Sequence, residues 1–232
     1  ASEILALYQA TDSSDPNPEP DDIPTNGLVA YYPFNSNAND ESSNSNDGIV
    51  YGATLTADRF GNANSAYSFD GYSDYIQVAD SAEFDTITAA ITIEGWFKPA
   101  SFGTGSNRLV EKSYYDGTNH PGFKLLFFNS NGLRLFVIDD ASSFTADSSN
   151  YVITLHEWQQ VAVTYDSATG YGGFYVNGTS AGTFSKTGTI GTNDYPLSIG
   201  RSGTTGSDKN YFDGLIDGVK IYNRALSASE IL

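Results

Sequence analysis

The sequence has no cysteine, no methionine and only two histidines, His120 and His156. Without cysteine the chain has no disulfide framework, no thiolate zinc site and no cysteine nucleophile. The two histidines are too far apart to form the HExxH motif of zinc proteases. No apolar run is long enough to span a bilayer. Thiol catalysis and histidine-based zinc proteolysis are therefore excluded.

Positive charge is also scarce, with 11 Lys and Arg against 28 Asp and Glu and a net charge of −17. Such a surface repels phosphate backbones and anionic lipids, so we expect neither nucleic-acid binding nor membrane insertion. The hydrophobic content of 39% and aromatic content of 14% suffice for a core. A length of 232 residues fits one large all-β domain.

The two ends of the chain share the pentapeptide ASEIL, at Ala1–Leu5 and Ala228–Leu232. Copies that start at residues 1 and 228 give a repeat period of 227 residues. We therefore expect residues 1–10 to be the tail of a preceding copy of the same domain. Because no methionine or signal peptide is present, we also expect the chain to be part of a longer polypeptide.

Residues 11–27 have the composition of a linker. Four prolines lie in this stretch, and five aspartates and glutamates lie within 12–22. Proline stiffens such a segment, and it has too few apolar residues to form a core. The sequence therefore predicts a domain over residues 28–232.

From Leu28 onward the pattern is one of short strands rich in β-branched and aromatic residues, separated by Gly, Asn, Asp and Ser. Asn131-Gly132 and Asn177-Gly178 predict tight hairpin turns, because both residue types tolerate positive φ. The spacing of Ser227 and Glu230 predicts a capped, short terminal helix. Many antiparallel strands with few helices indicate a two-sheet sandwich or jelly roll.

Three blocks of the sequence resemble one family. They are "GLVAYYPFNSNANDESSNSNDGIVYG", "ITIEGWFKP" and "FDGLIDGVKIYNRALSASEI". In these blocks and their order the chain is similar to the laminin-G-like jelly roll of the concanavalin A-like lectin/glucanase superfamily. The resemblance implies two antiparallel sheets, one of them concave, with the first and last strands adjacent. It also implies carbohydrate or protein ligands, often with a structural Ca²⁺, and a place in secreted or surface-anchored proteins.

A metal site is predicted from the last strand and an early loop. In "GLIDGVKIY", simple alternation places Asp217 on the same face as Leu215, Val219 and Ile221. A carboxylate in an apolar layer needs a partner for its charge. The loop 37–48 offers oxygen ligands of the kind that calcium prefers. The predicted ligands are Asp40, Ser42, Asn44, Asp47 and Asp217.

The resemblance supports this site, since in the family the loop and the last-strand aspartate often meet around Ca²⁺. Ser43 and Ser45 stand where relatives often have glycine. The alternative is an aspartate bonded to backbone N–H groups beside a solvated polar loop.

Two groups of residues are candidates for ligand binding. Trp96 and Arg134 alternate away from their apolar neighbours, and on a concave sheet they would offer a stacking ring and a charged donor. Tyr114, Tyr115 and His120 lie in a polar, aromatic loop that could form a rim. The alternatives are a Trp96 ring packed under a loop and an ordinary surface loop.

Catalytic patterns are absent from the sequence. The ExDxxE motif of sandwich glucanases is missing, and Glu83, Glu111 and Glu157 show no pairing of the kind that glycoside hydrolysis needs. We therefore expect a non-catalytic, lectin-like module that binds carbohydrate or cell-surface glycans with a structural Ca²⁺. It would be extracellular, secreted or cell-surface anchored, and repeated beside neighbouring copies. The alternatives are a structural spacer repeat and, third, a glycoside hydrolase or polysaccharide lyase.

Overall fold

The computed structural model describes residues 23–102, 107–114, 118, 120–128, 131–139, 142–203 and 210–231. This part of the chain forms fifteen β-strands and one short 3₁₀ helix at Phe84–Thr86. The strands form two antiparallel sheets that pack face to face. The predicted all-β sandwich is therefore confirmed.

The first sheet has eight strands: β1 (Leu28–Tyr32), β3 (Thr54–Thr56), β4 (Ala66–Asp70), β6 (Ala90–Pro99), β11 (Gln159–Asp166), β12 (Tyr171–Val176), β13 (Thr179–Ser185) and β15 (Asp213–Tyr222). Their order is β13-β12-β11-β6-β15-β4-β3, and β1 also pairs with β15. The first and last strands of the domain are thus neighbours, as the resemblance implied.

The second sheet has seven strands: β2 (Gly48–Tyr51), β5 (Tyr75–Val78), β7 (Arg108–Lys112), β8 (Gly122–Phe128), β9 (Gly132–Ile138), β10 (Phe144–Asp147) and β14 (Leu197–Ile199). Their order is β10-β9-β8-β7-β14-β5-β2. Below, the face of each sheet that is turned away from the other sheet is called its outer face.

The core lies between the two inner faces and follows the alternation of the strands. Ile91, Ile93 and Phe97 of β6 are fully buried against Leu125 of β8 and Leu135 of β9. Burial of each such side chain stabilises the fold by about 1.5–3 kcal/mol. The strand residues between them point to the outer faces.

The predicted turn at Asn177-Gly178 is present, whereas residues 129–130 of the connection before Asn131 lie outside the described residues. Asn177 and Gly178 join β12 to β13 with φ values of 49° and 68°, the positive pair that a two-residue turn of this kind requires. Asn131, immediately before β9, also has a positive φ of 57°. Local sequence was sufficient here because the turn residues alone fix the backbone.

The last strand contains a bulge that the sequence did not reveal. The register of β15 with β6 shifts between Asp217 and Lys220, and Gly218 takes a φ of 58° that favours glycine. The bulge reverses the alternation, so that Val219 and Ile221 face the core while Asp217 faces outward. The expectation that Asp217 shares a face with these two residues was therefore wrong.

The end of the chain crosses the outer face of the eight-stranded sheet. Leu226 and Ile231 are buried there against Ala162 and Tyr222. The predicted terminal helix is a single hydrogen-bonded turn over 228–230. Its Glu230 carboxylate accepts from the backbone N of Ser227 at 2.9 Å, which is one half of a capping box. The earlier ASEIL copy, at Ala1–Leu5, lies outside the described residues.

Candidate functional site

The carboxylate of Asp40 is surrounded by hydrogen-bond donors from its own loop and from β1. Its Oδ1 accepts from the backbone N of Tyr31 and of Ser42, both at 2.9 Å. Its Oδ2 accepts from Ser42 Oγ at 2.8 Å and from Asn46 N at 2.9 Å. Four donors use the four lone-pair positions of a carboxylate, so Asp40 acts as the organising centre of the loop.

Asn44 and Asp47 also form hydrogen bonds that hold the loop in place. The Asn44 side-chain amide donates to the carbonyls of Leu28 and Val29, at 3.1 and 2.9 Å. Asp47 Oδ1 accepts from the Asp40 backbone N at 2.9 Å. The structure thus brings the four predicted loop residues together, and their contacts tie the loop to the first strand.

Ser43 and Ser45 adopt left-handed backbone conformations, with φ values of 75° and 58°. Such conformations favour glycine, because a Cβ crowds the following carbonyl oxygen. The two serines therefore stand at positions where the loop geometry suits the glycines expected from the family.

Asp217 is not directed to this loop. It is 3% exposed, and its Oδ2 forms an ion pair with Arg59 Nη1. Burial raises the pKa of Asp217 to about 6, while the adjacent Arg59 guanidinium lowers it. Among the described residues, no group of three or more Asp, Glu or His side chains gathers around a metal-sized space. In this arrangement Asp217 pairs with Arg59 rather than with the four predicted loop residues.

Calcium binding stays a prediction with a direct test. If the domain holds a structural Ca²⁺, it is expected to melt several degrees lower in excess EGTA than with 2 mM Ca²⁺ in differential scanning calorimetry, because an ion bound only by the folded state stabilises it. Identical melting temperatures in the two buffers would contradict the calcium prediction.

The predicted ligand residues Trp96 and Arg134 lie on opposite sides of the sandwich. Trp96 is on the outer face of the eight-stranded sheet, and the Arg59 guanidinium lies 4.6 Å from its ring centroid. Arg134 is on the outer face of the seven-stranded sheet, 3.1 Å from the Phe128 centroid and bonded to Asp147. The expectation that they line one sheet is corrected, because alternation within a strand does not say which sheet the strand joins.

The predicted aromatic rim is present in part. Tyr114 stacks on Tyr195 with centroids 4.2 Å apart, and the His120 ring lies 5.1 Å from Tyr195. Tyr115 lies outside the described residues. The Tyr195 partner comes from the segment before β14, about 80 residues later in the sequence, so it could not be inferred from the loop.

A line of side chains crosses the entire outer face of the seven-stranded sheet. Each is the register partner of the next, from the edge strand β2 to the edge strand β10. We call it the central row: Ile49, Gln77, Ser198, Glu111, Lys124, Phe136 and Thr145. Its ends are accessible, with Ile49 60% exposed, whereas its middle is buried.

Glu111, at the middle of the central row, is fully buried between two cations. Its Oε1 lies 3.4 Å from Lys124 Nζ, and its Oε2 lies 2.9 Å from Arg108 Nε. The N–H of Arg108 Nε does not point at Glu111 Oε2, so this contact is an ion pair without a hydrogen bond. Neither of these two atoms has another hydrogen-bond partner. Oε1 also lies 3.3 Å from the backbone N of Gly203. Sequence reasoning missed this cluster. The alternation in "RLVEK" and "FKLLFF" does place Glu111 and Lys124 on the side of the strand opposite the apolar residues, but it does not show that the two strands are neighbours.

The two cations are desolvated by this arrangement. Burial lowers the pKa of Lys124 below its ordinary value, and the Glu111 carboxylate opposes that change. Burial likewise lowers the pKa of Arg108. Charged groups this deep are stabilised by one another, and removal of one leaves the others uncompensated.

An aromatic stack flanks the central row near the start of β5. Tyr75 lies between Tyr51, with centroids 4.5 Å apart, and Arg201, whose Cζ is 3.5 Å from the Tyr75 centroid. Tyr51 is on the edge strand β2 and is 39% exposed. The stack therefore presents a ring and a guanidinium beside the row.

Within the described part of the chain, no helix is long and apolar enough to cross a membrane. No curated protein sequence matches the chain significantly. Solved structures with the same fold include domain 4 of AbnA, a GH43 extracellular arabinanase from Geobacillus stearothermophilus, in complex with arabinotriose. It is 20% identical with a TM-score of 0.65, over 88% of this chain and 96% of that domain.

Two botulinum neurotoxin domains are also similar. The receptor binding domain of the C/D mosaic serotype is 15% identical with a TM-score of 0.67, over 90% of this chain. The binding domain of neurotoxin DC in complex with rat synaptotagmin II is 13% identical with a TM-score of 0.66, over 88% of this chain. The chain spans 50% of each of these two domains. At these identities the likeness shows the fold.

A laminin-G-type family model, described as the concanavalin A-like lectin/glucanases superfamily, matches residues 70–232. The match covers more than half of the chain and includes β5 to β15, with most of the central row and the strand of Asp217. It agrees with the two-sheet architecture and with the solved structures of the same fold. The chain therefore belongs to the concanavalin A-like lectin/glucanases superfamily.

Proposed function

We propose that this domain is a non-catalytic carbohydrate-binding module that holds a glycan on the outer face of the seven-stranded sheet. The observation that carries the proposal is the stack of Tyr51, Tyr75 and Arg201, which presents an accessible ring and a guanidinium beside the buried middle of the central row. Sugar recognition needs polar groups at fixed positions beside an aromatic ring, and rigid strands supply both.

The energetics of Glu111 support a functional role for the row. Well-packed apolar residues in place of a buried ion cluster are often neutral or stabilising, so stability alone gives little reason to keep one. The cluster fixes the segment 201–203 through Ser202 and Gly203, which face Glu111 Oε1. That segment in turn places Arg201 against Tyr75 beside the exposed ring of Tyr51.

The outer face of the other sheet is less suited to a ligand. Leu226 and Ile231 of the chain's own C-terminal segment cover part of it. A further part is occupied by the Arg59–Asp217 ion pair and by the ion pair between Lys220 and Glu94, 2.7 Å apart. The seven-stranded sheet is the better candidate because its row ends in accessible side chains.

A binding role fits this face better than catalysis. Glycoside hydrolysis needs two carboxyl groups on either side of one bond, about 5–9.5 Å apart. The row neighbours of Glu111 are Ser198 and Lys124, not a second acid. Domain 4 of AbnA, solved with arabinotriose, is a precedent for a glycan on this fold. An extracellular protein with neighbouring copies of the domain is the context that we propose from the acidic linker and the repeated ASEIL.

The proposal is tested by a glycan array with the unmodified domain, followed by calorimetric titration of the best ligand against Tyr51→Ala. Loss of a stacking ring of this kind is expected to weaken binding roughly tenfold, since about 1.4 kcal/mol corresponds to that factor. Tyr171→Ala is the matched control, because Tyr171 is 67% exposed on a strand of the other sheet.

The control variant is expected to bind like the unmodified domain. Absence of any glycan binding at millimolar concentration would favour the spacer alternative. Equal losses of glycan affinity in Tyr51→Ala and Tyr171→Ala would show that the ligand does not bind specifically beside Tyr51.

A further inference from the structure

We infer that the glycan is anionic and that Arg201 binds its carboxylate groups. This inference rests on the proposed glycan-binding role of the seven-stranded sheet and adds the chemical class of the ligand. Three features of the molecule support it: the cations around Glu111, the position of Arg201, and the pairing of the nearby carboxylates.

Positive groups outnumber carboxylates around Glu111 although the protein is strongly acidic. Three positive groups, Arg108, Lys124 and Arg201, lie around the single carboxylate of Glu111 or on the segment bonded to it. The net charge of the chain is −17. An excess of positive charge at one place on such a molecule attracts an anionic ligand locally, while the rest of the surface repels polyanions in general.

Arg201 differs from the other arginines of the chain. The other four each form an ion pair with a carboxylate: Arg59 with Asp217, Arg108 with Glu111, Arg134 with Asp147, and Arg224 with Glu230. In the described part of the chain, Arg201 has no carboxylate within ion-pair distance. Its charge is therefore available for a ligand.

The Arg201 guanidinium is held in a defined orientation. It stacks on Tyr75 at 3.5 Å, and Tyr75 is fixed on its other side by Tyr51 at 4.5 Å. The Arg201 Nε is buried without a hydrogen-bond partner, while the residue as a whole is half-buried. A guanidinium presents a planar fork that matches a carboxylate, and prior orientation reduces the entropy lost on binding.

The acids near this stack are engaged elsewhere. Asp74, beside Tyr75 in sequence, accepts through Oδ2 from the backbone N of Asp70 at 3.1 Å. Asp80, just beyond the other end of β5, pairs with Lys112 at 2.6 Å. Neither acid forms an ion pair with Arg201, which leaves that position for a carboxylate of the ligand.

A matched pair of polysaccharides tests the inference: polygalacturonate and the same polymer with its carboxyl groups methyl-esterified. We expect the domain to bind polygalacturonate at least tenfold more tightly in calorimetric titration at 50 mM NaCl, and to lose most of that preference at 500 mM NaCl. Arg201→Gln is expected to abolish the preference, and Arg201→Lys, which keeps the charge without the fork, to retain part of it.

Arg134→Gln is the control, because Arg134 lies on the same outer face but is already paired with Asp147. Its preference for the acidic polymer is expected to be unchanged. Equal binding of the two polymers, or a preference that survives Arg201→Gln in a variant with an unchanged melting temperature, would overturn the inference and leave glycan binding intact. Failure to bind any glycan would overturn the proposed function as well.

Discussion

Replacement of Arg59 by alanine is expected to lower the free energy of unfolding by about 3–5 kcal/mol at pH 7.5. The reason is that Asp217 is 3% exposed and pairs with Arg59, so the variant leaves a buried carboxylate without its counter-charge. The guanidinium also covers the rings of Phe60 and Trp96, at 4.4 and 4.6 Å, and that packing is lost too. Urea denaturation measures the difference.

The effect should depend on pH in a definite direction. Because burial raises the pKa of Asp217 from 3.8 to about 6, its contribution to stability is fully present below pH 3.8 and is lost as the pH rises through about 6. A shift of about two units corresponds to roughly 3 kcal/mol. At pH 5 Asp217 is mostly neutral and gains little from Arg59, so the cost of Arg59→Ala should be smaller there than at pH 7.5.

Two variants serve as controls for this prediction. Asp217→Asn removes the titrating group, and the decrease in stability between pH 4 and 6 that Asp217 causes should disappear. Arg134→Ala removes a partly exposed pair with Asp147 and should cost about 1 kcal/mol or less for the ion pair. A cost for Arg59→Ala that is equally small, or that is the same at both pH values, would show that Asp217 is solvated.

Replacement of Glu111 by alanine is expected to destabilise the domain by about 3–5 kcal/mol, because Arg108 and Lys124 then remain buried without their carboxylate. The pKa of Lys124 is already lowered by burial and should fall further. When the pKa of a lysine is lower in the folded state than in the unfolded chain, the free energy of unfolding increases as the pH rises from the folded pKa to the unfolded pKa. The unfolding free energy of the variant should therefore increase as the pH rises toward 10.5, the ordinary pKa of lysine.

Removal of all three charges separates stability from function. The triple variant Arg108→Met, Glu111→Leu, Lys124→Met replaces the buried ions by apolar groups of similar size, and most of the lost stability should return. Glycan binding should nevertheless be at least tenfold weaker, because the segment with Arg201 loses its contacts to Glu111. A triple variant as unstable as Glu111→Ala, or one that binds glycan normally, would contradict the role given to the cluster.

Much of the fold could be predicted from short stretches of sequence. The hairpin at Asn177-Gly178 depends on two residues that accept positive φ, and the core face of β6 depends on the spacing of Ile91, Ile93 and Phe97. Both are local properties that the structure confirms. The burial of Asp217 was also predicted, but from an alternation that the bulge at Gly218 reverses.

The candidate site could be predicted only in part. Trp96 and Arg134 do point away from the core, yet they belong to different sheets. Tyr114 and His120 do lie together, with Tyr195 as an unforeseen partner. The four predicted residues of the Asp40 loop lie together, and the donors to the Asp40 carboxylate come from its own loop and from β1.

The sequence by itself determined the core face of regular strands such as β6 and the turn at Asn177-Gly178, because alternation and turn chemistry act over a few residues. Only the tertiary structure decided that Glu111 lies between Ser198 and Lys124 and that Asp217 meets Arg59. These contacts depend on strand order and register, which join residues up to 158 positions apart. The residue pattern of a single strand does not indicate which strands lie beside it in the sheet. The fold class could therefore be predicted from the sequence, but the ion pairs between strands could not.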